Sequence, residues 1–316
     1  MQARKIQLIA GTTYTLSLPK QWVLKNHLKQ GNDIYVHEKD DGTITIFPRE
    51  IKKNSLNDIS FNIDEYNKTN ISQILFSLYY LGVESITLFS KSEFSKESKS
   101  IVRKTLHYMS GTEITYEDKS KITIKVLLDR TKIDIFQVIY RIGLILEQSF
   151  ANILEGLNFE ELRINEEEID RLYHLIAKIL TMSLVDSKIL ASSNVKNLPL
   201  IPSYFLMCKR LEHLGDNLYK MGEYLFKQKK QIENKTILTA HKENLSRCIE
   251  HLMKNHNKLF ERLPREKWTL LADKTSKIKD KEIQVDLIRN NRYIIDVEEE
   301  LVNITFYNKL ESDKNL

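Results

Sequence analysis

Two pairs of carboxylates carry the clearest chemistry in this chain. Glu166 and Asp170 stand four residues apart in Asn165-Glu166-Glu167-Glu168-Ile169-Asp170, and Glu212 and Asp216 repeat the spacing in Glu212-His213-Leu214-Gly215-Asp216. On a helix, residues four apart share a face. Like charges held there repel, and a hard divalent or trivalent cation relieves them, because carboxylate oxygens suit such ions. The four residues are therefore candidate ligands for iron, zinc, manganese or magnesium, on two antiparallel helices. The apolar arcs of those helices are Ile169, Leu172, Tyr173, Ile176 and Leu180, and Leu211, Leu214, Leu218, Met221 and Leu225. The acids fall beside these arcs, so the expected site lies on the bundle surface. The competing reading is a solvated acidic face, which is common. His174 continues the stripe of 166 and 170 as a possible further ligand or as a solvated side chain. His251 and His256 are five apart and do not form a zinc pair.

The second group is cationic. Arg4, Lys5 and Lys20, followed by Lys25 and Lys29, crowd the first thirty residues. Mobile cations of this kind contact nucleic-acid phosphates and position a protein without reading sequence. The elements that would hold them are short. Ile6, Leu8 and Ile9 lie in an apolar run, Gly11-Thr12-Thr13 is a turn, and 14–18 form a second strand. Pro19 suits the first turn of a short helix over 20–27. Asp41-Gly42 between strands 34–38 and 43–47 is a hairpin signal. Gly11, Thr13, Tyr14, Ser17-Leu18-Pro19-Lys20, Trp22, Leu28, Gly31-Asn32-Asp33 and Asp41-Gly42-Thr43-Ile44-Thr45-Ile46 together resemble the AbrB/SpoVT swapped-hairpin family. The resemblance implies hairpins interleaved between two chains, hence a homodimer, and DNA as partner. Physics agrees on the dimer, since about fifty residues of short strands bury too little surface to stand alone.

The 316 residues suggest two or three domains. Hydrophobic content of 41% suffices for real cores, and a formal net charge of +5 permits anionic partners without demanding them. Cys208 and Cys248 have no metal spacing and point to a reduced, cytoplasmic setting. No window of eighteen uninterrupted apolar residues and no secretory leader is found. Nucleophile-elbow, phosphate-loop, dinucleotide-fold and His-Glu-x-x-His patterns are missing, so the chain is not expected to be an enzyme.

The expected fold class is α+β multidomain: a swapped-hairpin β domain at 1–52, a small αβαββ domain at 58–129, a three-helix bundle at 130–232 and an additional helical bundle at 236–316. The polar run 52–58 separates the first two. Helices are predicted at 133–157, 166–191, 199–229, 236–263, 266–278 and 282–307 from their apolar periodicity. The segments Asn165 to Tyr173 and Arg210 to Leu218 are similar to the acidic motifs of the PhoU family of phosphate-uptake regulators. That resemblance implies a phosphate-responsive regulator, metal on the acidic motifs and a phosphate transporter or regulatory protein as partner. Family members often carry two motif-bearing bundles, whereas in 236–316 the pair read at that spacing is Asp296 and Glu300, in a different context. The alternative is an adaptor that acts on the transport system through protein contacts without touching DNA.

Overall fold

The computed structural model describes residues 3–38, 42–49, 57–195, 197–233 and 235–314. Asp41 of the expected hairpin and residues 52–56 of the expected linker lie outside them. The chain divides into two compact units, Met1–Ser55 and Leu56–Leu316.

In the first unit, β1 (Gln7–Ile9) pairs antiparallel with β2 (Thr13–Thr15), Ile9 opposite Thr13. Ala10 and Gly11 take φ of 52° and 72°, the left-handed turn geometry whose twist matches flanking strands. Helix α1 (Lys20–Lys25) follows Pro19, and β3 (Tyr35–Glu38) pairs with β4 (Ile44–Phe47). No described residue of this unit is buried.

The second unit opens with β5 (Asp58–Asn62), a strand at the end of the expected linker that the αβαββ order did not include. Its order is β5, α2 (Ile71–Tyr80), β6 (Ser85–Phe89), α3 (Lys96–His107), β7 (Thr112–Glu117) and β8 (Lys121–Val126). The αβαββ expectation thus becomes βαβαββ. Alternation in Asp58-Ile59-Ser60-Phe61-Asn62 is the strand signal, and its polar half masked it. The sheet runs β5-β6-β8-β7, with β5 parallel to β6 and the other pairs antiparallel. Leu75, Tyr79 and Val102 of the two helices close over Ile86, Leu88, Ile122 and Ile124 of the sheet.

Then come α4 (Ile135–Glu155), α5 (Phe159–Ser183), α6 (Ser187–Ser192), α7 (Ile201–Gln228), α8 (Lys235–Asn255), α9 (Arg265–Ser276) and α10 (Lys281–Lys314). Helix α5 begins two turns before the predicted start, where Asn158 caps it by accepting from Glu161 N. It ends at Ser183 and not at 191, because Asp186 caps α6 through the amides of Lys188 and Ile189. The helices of 236–316 do not form a bundle of their own. Leu238 and Leu245 of α8 and Leu287, Val297 and Leu301 of α10 belong to the same core as Ile142 of α4, Ile176 of α5 and Leu214 of α7.

Candidate functional site

Helices α5 and α7 are antiparallel and close. Ile169 faces Gly215, and Leu162 faces Gly222: a Cβ at Gly215 would come within 3.0 Å of Ile169 Cδ1, and one at Gly222 within 2.1 Å of Leu162 Cδ2. The two glycines, two turns apart, let the helices approach. Beside these contacts Glu166, Asp170 and Asp216 each offer a carboxylate oxygen, all within 4.8 Å of one another.

Three of the four predicted ligands therefore converge, but not on the surface. Glu166, Asp170 and Asp216 are half-buried, and Glu212 is buried. The wheel placed them outside the apolar arcs because it assumed one buried stripe per helix. Helix α7 in fact packs against α5, α4 and α10, so its buried arc is wide enough to take in Glu212 and Asn217. Glu212 also departs from the predicted quartet. Its Oε1 accepts from Lys209 Nζ at 2.8 Å, and it is not part of the three-carboxylate group. His174, the possible further ligand, accepts or donates at Nδ1 with Tyr80 Oη and stacks 4.0 Å from Phe76. Burial, then the charge of Lys209, holds its pKa down to about 4. It joins α5 to α2 and is not among the grouped acids.

Electrostatics mark the cluster as short of positive charge. Burial, then Glu166, Glu212 and Asp216, push Asp170 up to about 8, with Lys209 opposing. Burial and then Asp216 raise Glu166, and burial raises Glu212 against the Lys209 hydrogen bond. Asp170 Oδ1 and Glu212 Oε2 are buried without a hydrogen-bond partner, a costly state for polar atoms. The Asp170 oxygen, in a group with Glu166 and Asp216, fits a cation, whereas Glu212 Oε2 lies 3.7 Å from His213 Nε2. The donor set is all oxygen and so suits hard ions such as magnesium or manganese better than zinc. Glu166, Asp170 and Asp216 would supply the ligands, and a bound ion would offset the negative charge that, with burial, raises Glu166 and Asp170.

The adjacent turns tie α5 to the α/β layer. Arg171 pairs with Glu168 at 2.7 Å and donates to Ser110 Oγ at 3.1 Å, while Arg141 of α4 holds the same Glu168 at 3.1 Å. Sequence reasoning missed Gly215 and Gly222. Their seven-residue spacing on one face of α7 was the available signal.

In the first unit Arg4, Lys5 and Lys20 are all exposed. Arg4 Nη1 donates to Ser17 Oγ at 3.3 Å, which brings the N-terminal arm beside the segment that leads into α1 and Lys20. Ile6, Leu8, Ile9, Tyr14, Leu24, Val36 and Ile44 are each more than half exposed, from 53% for Leu8 to 68% for Tyr14. A hairpin pair with its large apolar side chains in water lacks a core of its own.

Residues 7–55 match the family described as antidote-toxin recognition MazE, bacterial antitoxin. Over that segment the chain is similar to domains of MazE/AbrB type. No curated protein and no solved structure matches the chain. Among the described residues no helix is long and apolar enough to cross a membrane.

Proposed function

We propose that the chain is a dimeric DNA-binding transcription regulator whose helical unit holds a hard metal ion on Glu166, Asp170 and Asp216 and responds to phosphate status. The observation that carries the DNA-binding dimer is the first unit. It combines a MazE/AbrB-type match, no buried residue among those described and exposed Arg4, Lys5 and Lys20. A second copy would cover Ile6, Leu8, Tyr14, Val36 and Ile44 by exchanging strands. Phosphate contacts by the three cations would then supply affinity and a steep salt dependence. The converging carboxylates and the unpartnered Asp170 oxygen support the metal. The phosphate response, with a transporter or regulatory protein as partner, rests on the similarity of the two acidic segments to PhoU motifs.

A second reading has its own support, because the matched family is described by toxin recognition. In that reading the exposed apolar hairpins bind a protein and the chain is an adaptor. A gel shift with the chain's own upstream DNA, with and without inorganic phosphate, separates the two. A retarded band whose intensity changes with phosphate is expected. No retardation at low salt would favour the adaptor.

A further inference from the structure

Lys178 sits near the C-terminal end of α5, wholly buried, and its Nζ has no hydrogen-bond partner. The amine rests 3.9 Å from the centre of the Tyr79 ring. A buried ammonium without an anion is expensive, so such groups either lose their proton or acquire a counter-charge. Burial first, then the nearby charge of Arg130, brings Lys178 down to about 7, with Glu84 opposing. At neutral pH the amine is therefore only partly charged, and an anion beside it would restore the proton.

The surroundings provide room for one. Lys178 is one wall of a cavity of about 230 Å³ where the turn after α2 and the exit of β8 meet α5. Arg130 lines the same cavity. Its Nη1 donates to Gly82 O at 3.1 Å, and its Nη2 to Glu84 Oε1. Gly82 has a φ of +79°, and a Cβ there would stand 3.1 Å from Arg130 Nη1 and 2.5 Å from Met182 Cε. The missing side chain is what admits the guanidinium. Both acids of the cavity are already engaged. Glu84 pairs with Arg130, and Asp129 accepts from Thr131 N and Oγ1 and pairs with Lys132 at 3.5 Å. Lys178 is the positive group left over.

We infer that this cavity binds a small oxyanion, with the Lys178 ammonium as its main charge partner and the Arg130 guanidinium as its second. Arg130 brings a planar fork of donors, and Lys178 a compact point charge. The volume suits inorganic phosphate, sulfate or a short carboxylate. The cavity joins the α/β layer to the helical core, so an anion there would clamp Gly82–Glu84 and Val126–Arg130 onto α5. The inference does not depend on the function proposed above, and the metal cluster takes no part in it.

The test is a calorimetric titration of the full-length protein with sodium phosphate, sodium sulfate and sodium acetate, each at constant ionic strength made up with chloride. Saturable binding of at least one of them is expected, and the arms separate a tetrahedral from a planar anion. Lys178→Met should weaken that binding at least tenfold. The methionine keeps the side-chain volume and removes a buried charge, so the variant should melt in chloride at or above the wild-type temperature. If it does not fold, hydrogen exchange of the wild type decides, with protection of 82–84 and 126–130 expected on saturation. Absence of saturable binding, an unchanged dissociation constant in Lys178→Met, or saturation without protection of those segments would overturn the site.

Discussion

Replacing Asp170 with asparagine probes the acidic cluster most cleanly. The side chain keeps its size and loses its charge. In the metal-free protein, Asp170 titrates near 8, against an ordinary value of 3.8. Between those two values the folded state keeps a proton that the unfolded chain has released. Stability contributed by this group is thus fully present at low pH and falls as pH rises toward 8. At about 1.4 kcal/mol per pKa unit, the gap sets a ceiling of about 6 kcal/mol. Solvent screening at a half-buried site reduces this to about 2–3 kcal/mol. For a unit of this size that is a fall in melting temperature of roughly 4–9 °C between pH 5 and 8. Asp170→Asn should remove most of that fall. Other groups titrate in the same window, Lys178 with the opposite sign, but the difference between the two melting profiles isolates Asp170. Manganese should then reverse the loss in the wild type at pH 7.5, by about 2.7 kcal/mol at a hundredfold excess over the dissociation constant, and leave the variant unmoved. Differential scanning calorimetry of chelator-treated protein, with and without manganese or magnesium, reads both effects. A wild type whose profile matches that of Asp170→Asn at every pH, and which no ion stabilises, would reduce the carboxylates to a solvated face.

Deleting residues 1–50 should turn the dimer into a monomer by light scattering, and a truncated chain that stays dimeric would place the interface in the helices. Gly222→Val should cost about 1–3 kcal/mol by overpacking against Leu162 and weaken manganese binding, read by melting and by titration. Unchanged metal affinity there would show that close approach of α5 and α7 is not needed. No hydrolysis of p-nitrophenyl phosphate is expected with manganese or magnesium added. Turnover that disappears in Asp170→Asn and Asp216→Asn would make the cluster catalytic.

Local signals were enough to expect the order of domains and the facing of two acidic helices. Glu166 and Asp170, and Glu212 and Asp216, are spaced by one turn, and a turn's spacing survives whatever surrounds the helix. What failed depended on neighbours distant in sequence. Glu212 looks exposed on a wheel drawn for one contact, yet α10, nearly seventy residues later, covers the far side of α7. Lys178 follows an apolar run and reads as a helix-face lysine until Tyr79 and Arg130, far upstream, close over it. The start of α5 was legible in Asn158, a strong N-cap with Glu161 three residues on, but the apolar periodicity that set the predicted start is clear only from Ile169. Strand β5 was lost in a polar stretch because its hydrogen bonds go to β6, more than twenty residues away.

The central claim is a dimer that grips DNA through the cations of its first unit. Its most direct test is fluorescence anisotropy of the full-length protein on duplex DNA from about 50 to 200 mM salt, comparing wild type with Arg4→Ala, Lys5→Ala and Lys20→Ala. Log affinity should fall linearly with log salt, and each substitution should lower the slope by about one. A wild type that does not bind at low salt, or variants whose affinity and slope equal the wild type's, would contradict it.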